Sequence, residues 1–276
     1  MIDLRGKPIA ITGASSGIGR AAAIACAKAG MPVVAGARRE DKLRELVREI
    51  ERDGGRAISV ACDVVNPADC ERLIAEGEKA FGPLYSVFAN AGYGLEREAA
   101  ELSDAEFREI FETNFWGTVN TVKPAVTRML ARTTDAAGRG HVLICTSAMS
   151  KIALPCFAAY STTKAAQDHY GRALRLELAD RGIHVSTVHP ISTVSEFSQR
   201  TTEHSGGSRL WHMAQGMKQT AEHVADRIVA CLRRPKGEVW PHLPTRLILG
   251  LATAFPALAD RGLSRELMRR RRNQPR

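Results

Sequence analysis

Tyr160 and Lys164 have the side chains with the clearest potential for chemistry, and they lie four residues apart in Tyr160-Ser-Thr-Thr-Lys164. On a helix this spacing places a phenol and an ammonium on one face, one turn apart. The pKa of a free tyrosine is about 10, and a nearby cation lowers it by favouring the phenolate. With the hydroxyl of Ser147 upstream, the set predicts a proton donor for reduction of a carbonyl or the reverse reaction. The alternative is a packed ring beside a solvated charge.

The N-terminal segment has the pattern of a phosphate-binding turn. An apolar run over 7–12 leads into Gly13-Ala-Ser-Ser-Gly17-Ile-Gly19, and an alanine-rich stretch then runs to Gly30. This pattern predicts a buried strand, a glycine turn and a helix. Glycines allow close approach of the backbone, and the free amides at a helix N-terminus attract an anion.

The Gly-x-x-x-Gly-x-Gly spacing, together with Tyr160 and Lys164, resembles the short-chain dehydrogenase/reductase family over about residues 7–195. The resemblance implies one doubly wound domain and a catalytic set of Asn114, Ser147, Tyr160 and Lys164. In that set the tyrosine is the general acid or base, the serine holds the carbonyl oxygen, and the lysine stabilises the tyrosinate and holds the cofactor ribose. Asn114 would order a water that replenishes the proton.

Cofactor contacts are expected at the ends of several strands. The expected cofactor-binding residues are Gly13, Ser15, Ser16, Gly17, Ile18, Gly19, Arg38, Arg39, Asp63, Val64, Asn90, Ala91, Gly92, Tyr160, Lys164, Pro190, Thr193 and Ser195. By resemblance, the pair Asp63-Val64 contacts adenine and the loop from Pro190 to Ser195 holds the nicotinamide.

The second predicted strand ends in Ala37-Arg38-Arg39, where an acidic residue would bind the ribose hydroxyls and repel a phosphate. Two guanidinium groups without an obstructing carboxylate favour the 2′-phosphate of NADP over NAD, and Ser15 could add a hydroxyl. The alternative is that both arginines only solvate the start of a helix.

Apolar runs alternate with amphipathic stretches along the chain. The pattern predicts strands over 32–37, 56–61, 84–89, 141–145 and 184–188, and helices over 40–52, 67–81, 103–132 and 158–181. Such alternation predicts an α/β fold, a Rossmann-type doubly wound parallel sheet with helices on both faces. We expect a single catalytic domain over 1–240, and a C-terminal extension with a helical, apolar segment and a basic tail over 241–276.

Two departures from the family pattern stand out. Ile191 follows Pro190 where the family usually has glycine, so a side chain occupies a point where glycine would permit a positive φ. The chain also continues past Trp240 instead of ending in the turn that helps to build a tetramer. A homodimer or another homo-oligomer is therefore expected rather than that tetramer.

The C-terminal extension contains an apolar run over 247–259 that is interrupted by Pro256. It is too short for a bilayer span, which needs about 20 residues. It could pack on its own domain or on a dimer partner, anchor at a membrane interface, or cover a substrate channel. Residues 261–276 carry seven arginines and one glutamate, a net +6 of the chain's +9. This tail is either solvated or attracted to anionic lipid, and no motif indicates specific nucleic-acid binding.

Substrate choice is expected to depend on residues 196–219, which include Phe197, Leu210, Trp211 and Met213. They form either an apolar lid or a loop whose apolar residues dock on the surface. We expect an apolar ketone, aldehyde or secondary alcohol as the substrate. Three alternatives stay open: a carrier-protein-linked 3-oxoacyl reductase, a peripheral-membrane lipid or steroid reductase, and a dinucleotide-sensing module with little activity.

Composition is typical of a cytoplasmic enzyme. The first residues lack the apolar core of a secretion signal, and the six cysteines form no Cys-x-x-Cys pair. The eight histidines are scattered without ligand spacing, so no metal site is expected.

Overall fold

A parallel sheet forms the centre of the computed structural model, which describes residues 1–134, 137–194, 196–197, 201 and 219–272. The strands are β1 (Ile9–Thr12), β2 (Val33–Ala37), β3 (Ala57–Ala61), β4 (Ser86–Ala89), β5 (Gly140–Cys145), β6 (Ile183–Val188), β7 (Thr193–Val194), β8 (Gln219–Thr220) and β9 (Glu238–Val239). Seven of them form the sheet in the order β3-β2-β1-β4-β5-β6-β9, all parallel, while β7 pairs with β8. The order reverses between β1 and β4, where doubly wound sheets bind their ligands.

Helices cover both faces of this sheet. They are α1 (Gly17–Lys28), α2 (Glu40–Arg52), α3 (Pro67–Phe81), α4 (Asp104–Phe111), α5 (Gly117–Leu130), α6 (Ala158–Leu178), α7 (Ala221–Arg233), α8 (Leu243–Ala254) and α9 (Pro256–Arg272). Side chains of α1, α2 and α7 share one apolar cluster, and those of α3 and α5 share another. Since both faces are covered, β1, β2, β4 and β5 are buried along their whole length. The predicted fold class is confirmed.

The predicted helix over 103–132 is interrupted in the structure. Ser103 and Glu106 form a capping box that starts α4, and a π-helical segment, Glu112–Trp116, separates α4 from α5. Apolar periodicity does not reveal a π-helical turn, because the side chains on either side still face the core. Asn114 lies in this segment and is fully buried.

The C-terminal extension forms α8 and α9. Leu249 of α8 packs with Ala148 and Trp240, and Ile191 joins the same cluster. Ile191 does not adopt a positive φ, and its side chain packs in a cluster to which the extension contributes Leu249. In the described part of the chain no individual helix is long and apolar enough to cross a membrane, although α8 and the first part of α9 pass that test as a pair bent by 109°.

Candidate active site

The predicted site residues collect at the carboxyl ends of the sheet strands. The glycine turn follows β1, Arg38 and Arg39 follow β2, Asp63 and Val64 follow β3, Asn90 to Gly92 follow β4, Ser147 follows β5, and Pro190 follows β6. Tyr160 and Lys164 lie near the start of α6. Ser195 lies outside the described residues, as does most of the predicted lid over 196–219.

Tyr160 and Lys164 are both buried on α6. The Nζ atom of Lys164 lies 5.6 Å from the centroid of the Tyr160 ring, and it donates a hydrogen bond to the carbonyl oxygen of Cys145 at 2.9 Å. Only 8% of Tyr160 and 4% of Lys164 is exposed. The ammonium is therefore held between the end of β5 and the tyrosine ring, in the arrangement that the spacing predicts.

Burial dominates the ionisation of both groups. It raises the pKa of Tyr160, while a hydrogen bond with Ser147 opposes the rise. The Tyr–Lys spacing predicts a lowered pKa for Tyr160, and in the structure the net shift is upward, because desolvation of the phenolate is the largest contribution. Burial also lowers the pKa of Lys164 to about 8. Tyr160 is therefore a protonated phenol at neutral pH, which suits a proton donor.

Ser147 is fixed by the backbone that follows it. Its Oγ atom accepts a hydrogen bond from the amide of Met149 at 3.1 Å and caps a short 3₁₀ turn, Ala148–Ser150. Because Oγ is the acceptor in this bond, its O–H group stays available to donate. Ser147 is buried beside Tyr160, so one oxygen atom could receive hydrogen bonds from both hydroxyls.

Asn114 joins the loop after β4 to α6. Its Nδ2 atom donates to the carbonyl of Tyr93 at 3.0 Å and to Oγ1 of Thr163 at 3.1 Å, and its Oδ1 atom accepts from the Tyr93 amide at 3.0 Å. The backbone carbonyl of Asn114 accepts hydrogen bonds from Nε2 of Gln167 at 2.7 Å and from Oγ1 of Thr118 at 2.8 Å. The family motif identifies Asn114, whereas no sequence motif marks these hydrogen-bond partners. These bonds connect the loop after β4 to α6; the predicted ordering of a water stays a prediction.

The glycine turn packs closely against the loop after β4, and only glycine fits at two of its positions. Gly13 has a φ of +67°, and a Cβ there would approach the Cα of Ala91 to 2.9 Å; a Cβ on Gly19 would overlap the Gly13 carbonyl oxygen. Ser16 is the N-cap residue of α1, yet its side chain accepts no capping hydrogen bond. The first amides of α1 therefore have no side-chain partner from Ser16, and the turn fits an anion such as a dinucleotide pyrophosphate.

Arg39 reaches into this crevice, whereas Arg38 is exposed. The Nη2 atom of Arg39 donates to Oγ of Ser15 at 3.0 Å, and Nη1 lies 2.9 Å from the Glu196 carboxylate. The prediction that no carboxylate obstructs the two arginines is thus wrong for Arg39. Glu196 is distant in sequence, so no local pattern could have revealed it.

Three further predicted cofactor residues have other contacts. Asp63 accepts a hydrogen bond from the Val65 amide at 3.1 Å, and the carbonyl of buried Val64 accepts from Asn120 at 3.0 Å. Thr193 donates to the carbonyl of Ile191 at 2.9 Å. These bonds shape the loops after β3 and β6, and their cofactor contacts stay predictions.

An apolar cluster surrounds the Tyr160 ring. Phe157 lies 6.3 Å away between ring centroids and Phe197 lies 5.8 Å away. Leu263 and Leu267 of α9 pack against the same cluster. The C-terminal extension therefore packs against the cluster that contains the candidate catalytic tyrosine. Packing of the extension on its own domain is one of the three alternatives that the sequence leaves open.

A partly buried charged network lies behind the Ser147 loop. The ammonium of Lys151 is 2.5 Å from the Asp168 carboxylate and 3.3 Å from that of Glu238. His189 lies 3.5 Å from Asp168 and stacks on Trp240 with ring centroids 4.4 Å apart. Asp168, His189 and Glu238 offer ligand atoms within 4.8 Å of one another, but the ammonium already contacts both carboxylates. The network holds together the ends of β5, β6 and β9.

This fold and site define an oxidoreductase with a Rossmann-type sheet. The chain belongs to the short-chain dehydrogenase/reductase family, since the family model described as short chain dehydrogenase matches residues 7–206.

Several curated relatives share much of the chain. A fatty acyl-CoA reductase of Mycobacterium tuberculosis is 30% identical over 99% of this chain and 87% of its own length. An A-factor type gamma-butyrolactone 1′-reductase of Streptomyces virginiae is 33% identical over 77% of this chain and 82% of its own length. Glycine betaine reductase ATRR of Emericella nidulans is 31% identical, but the match spans only 18% of its length.

Solved structures match as well. An alcohol dehydrogenase of the archaeon Thermococcus sibiricus, complexed with 5-hydroxy-NADP, has a TM-score of 0.73 and 27% identity, covering 85% of this chain and 95% of its own. A short-chain dehydrogenase/reductase of Burkholderia phymatum in complex with NAD has a TM-score of 0.83 and 22% identity, covering 94% and 97%. At that identity the second match supports the fold alone.

Proposed function

We propose that this protein is an NADP-dependent oxidoreductase that interconverts an apolar ketone or aldehyde and the corresponding alcohol, with Tyr160 as the general acid or base. The observation that carries the proposal is the burial of Tyr160, Ser147 and Lys164 together at the carboxyl ends of the sheet strands. The proposed catalytic domain is 1–240, with 241–276 as an extension.

The chemistry of these side chains follows from their protonation states. When bound, the nicotinamide supplies a hydride to the carbonyl carbon. Tyr160, a neutral phenol, donates its proton to the carbonyl oxygen, and Ser147 donates a hydrogen bond to that oxygen as negative charge develops. The Lys164 ammonium, below its pKa of about 8, stabilises the tyrosinate. A positioned acid contributes about 10²–10⁴-fold and one oxyanion donor about 10²–10³-fold.

The proposed NADP preference depends on Arg39. Its guanidinium lies at the end of β2 beside Ser15, where a 2′-phosphate would receive charge-assisted hydrogen bonds. Glu196 competes for the same guanidinium, so binding of the phosphate would replace one anion by another. The Thermococcus sibiricus relative, whose structure contains an NADP derivative, is consistent with this preference.

An apolar substrate is favoured by the surroundings of Tyr160. Phe157 and Phe197 lie beside the ring, and Leu263 and Leu267 pack against the apolar cluster that contains Tyr160 and Phe157. The relative that matches 99% of this chain is a fatty acyl-CoA reductase, a name that indicates a long apolar chain on its own substrate.

We also propose that the protein forms a homo-oligomer. Phe107 and Trp116, on α4 and the π-helical segment, are 37% and 48% exposed, and burying such aromatic rings is a common source of subunit contact. Light scattering at several protein concentrations tests this point.

The experiment that tests the proposed activity is a panel of carbonyl compounds and alcohols, assayed with NADPH and NADH by the absorbance of the reduced cofactor. Long-chain ketones and aldehydes should be reduced with NADPH in preference to NADH. Turnover restricted to small charged acids would contradict the proposed substrate class, and no turnover with either cofactor would contradict the activity.

A further inference from the structure

An exposed apolar face runs along α8. Leu243, Leu247 and Leu251 follow the i, i+4, i+8 spacing of one helix face, and each is more than half exposed. The opposite face contains Thr245 and Leu249, which are buried against the domain. Ile248 and Phe255 enlarge the exposed apolar area, at 58% and 61% exposure. Soluble monomers seldom expose so many large apolar side chains together unless the surface binds something.

A row of arginines lies on the outer face of α9. Arg261, Arg265 and Arg269 repeat every four residues, so they share one face of the helix, and each is exposed. Two of them, Arg261 and Arg265, have no salt bridge to another described residue. This face carries three of the seven arginines of residues 261–276.

The inner face of α9 contacts the apolar cluster around Tyr160. Leu263 and Leu267 pack there, on the side of the helix away from Arg261 and Arg265. The arginine face is thus separated from the candidate catalytic cluster by about one helix diameter, which is about 10 Å.

We infer that α8 and α9 form a docking surface for a membrane of anionic phospholipid. The apolar face of α8 enters the boundary between headgroups and acyl chains, and the arginines of α9 contact the phosphates and anionic headgroups. Buried apolar area and a basic cluster are the two contributions that together give stable interfacial binding. The inference goes beyond the proposed reaction, and it holds whether or not Tyr160 is the acid.

Charge favours a membrane over a second copy of the chain. In a symmetric dimer the same patch meets itself, so a contact that included the arginine face of α9 would bring two such faces together. Residues 261–276 carry a net charge of +6 in each chain, and like charges that are brought close together oppose association. An anionic lipid surface complements the same residues.

Vesicle flotation of the full chain at low salt tests the inference. The vesicles contain phosphatidylcholine alone or phosphatidylcholine with phosphatidylserine. We expect the protein to float with the anionic vesicles and far less with the neutral ones. The double variant Leu247→Asp/Leu251→Asp should remain unbound, and Arg261→Glu/Arg265→Glu should bind the anionic vesicles at least about tenfold more weakly.

Two variants serve as controls. Leu176→Asp, at a residue of α6 that is 72% exposed, changes an apolar side chain outside the extension and should float like the wild type. Tyr160→Phe should also float like the wild type, which separates docking from catalysis. Circular dichroism melting curves establish that the variants fold.

Three results would overturn the inference. The first is absence of wild-type flotation with anionic vesicles, and the second is equal flotation of wild type and Leu247→Asp/Leu251→Asp. The third is a dimer that light scattering detects in the wild type and not in that double variant, without vesicle binding, which would make the apolar face a self-association surface.

Discussion

The ammonium of Lys164 is positioned by two contacts, a hydrogen bond of 2.9 Å to the carbonyl of Cys145 and a separation of 5.6 Å from the ring centroid of Tyr160. The first contact fixes the lysine to the end of β5, and the second places its charge beside the phenol. The charge therefore lies where a tyrosinate would need it, while the surrounding burial keeps the phenol protonated until a proton acceptor arrives.

Cofactor affinity should depend on the ionisation of Lys164. Burial lowers its pKa to about 8, so the side chain is cationic below pH 8 and neutral above it. By resemblance Lys164 holds the cofactor ribose, and we expect NADPH binding to weaken as pH rises through about 8. Fluorescence titrations of NADPH between about pH 6.5 and 9.5 measure this.

Lys164→Met is the matched variant, because it keeps a long side chain without the charge. It should bind NADPH weakly, and the pH dependence near 8 should disappear. If the same pH dependence persisted in Lys164→Met, another group would be responsible for it.

Cofactor selectivity should follow from Arg39. Replacing Arg39 by Ala removes charge-assisted hydrogen bonds worth about 1.5–3 kcal/mol, so the Kd for NADPH should rise by about 10–150-fold. The Kd for NADH should change little, since NADH lacks the 2′-phosphate. Calorimetric titration with both cofactors gives the comparison.

Glu196→Gln provides the opposite test. It removes the carboxylate that lies 2.9 Å from Arg39, and it should tighten NADPH binding by several-fold without affecting NADH. Equal weakening of both cofactors in Arg39→Ala would contradict the assigned role of Arg39.

The main features of the fold and of the site were predictable from local sequence. The bounds predicted for α2 and α3 are those observed, because periodicity and capping residues are short-range properties. Tyr160 and Lys164 were found since their spacing within one helix fixes their relation. The π-helical segment around Asn114 and the ion pair between Arg39 and Glu196 were not predictable, because each depends on contacts between segments far apart in the chain.

Ile191 is another residue whose contacts depend on a segment far away in the sequence. The sequence indicates a misfit at a glycine position, but the structure gives the side chain a place among Ala148, Trp240 and Leu249. The unusual residue in the loop after β6, Ile191, thus packs with Leu249 of the extension that follows β9. Neither segment alone predicts this contact.

The contact of Ile191 with α8 should contribute to stability. Fully buried Ile→Ala changes cost about 2–5 kcal/mol, and Ile191 is partly exposed, so Ile191→Ala should lower the free energy of unfolding by about 1–2 kcal/mol. Urea denaturation measures the loss. Relative to the wild type, amide hydrogen exchange in the variant should become faster in α8. It should stay unchanged in α2, which lies elsewhere in the fold. An unchanged exchange rate in α8 would show that this contact does not hold the extension.

The proposed activity depends most directly on Tyr160 as the proton donor, and Tyr160→Phe tests this role because only the hydroxyl is lost. The measurement is the rate of NADPH oxidation with the best carbonyl substrate of the panel, paired with calorimetric titration of NADPH into the same variant. We predict a loss of at least about 10²-fold in kcat with cofactor affinity unchanged. A variant that binds NADPH and keeps the wild-type rate would contradict the assignment.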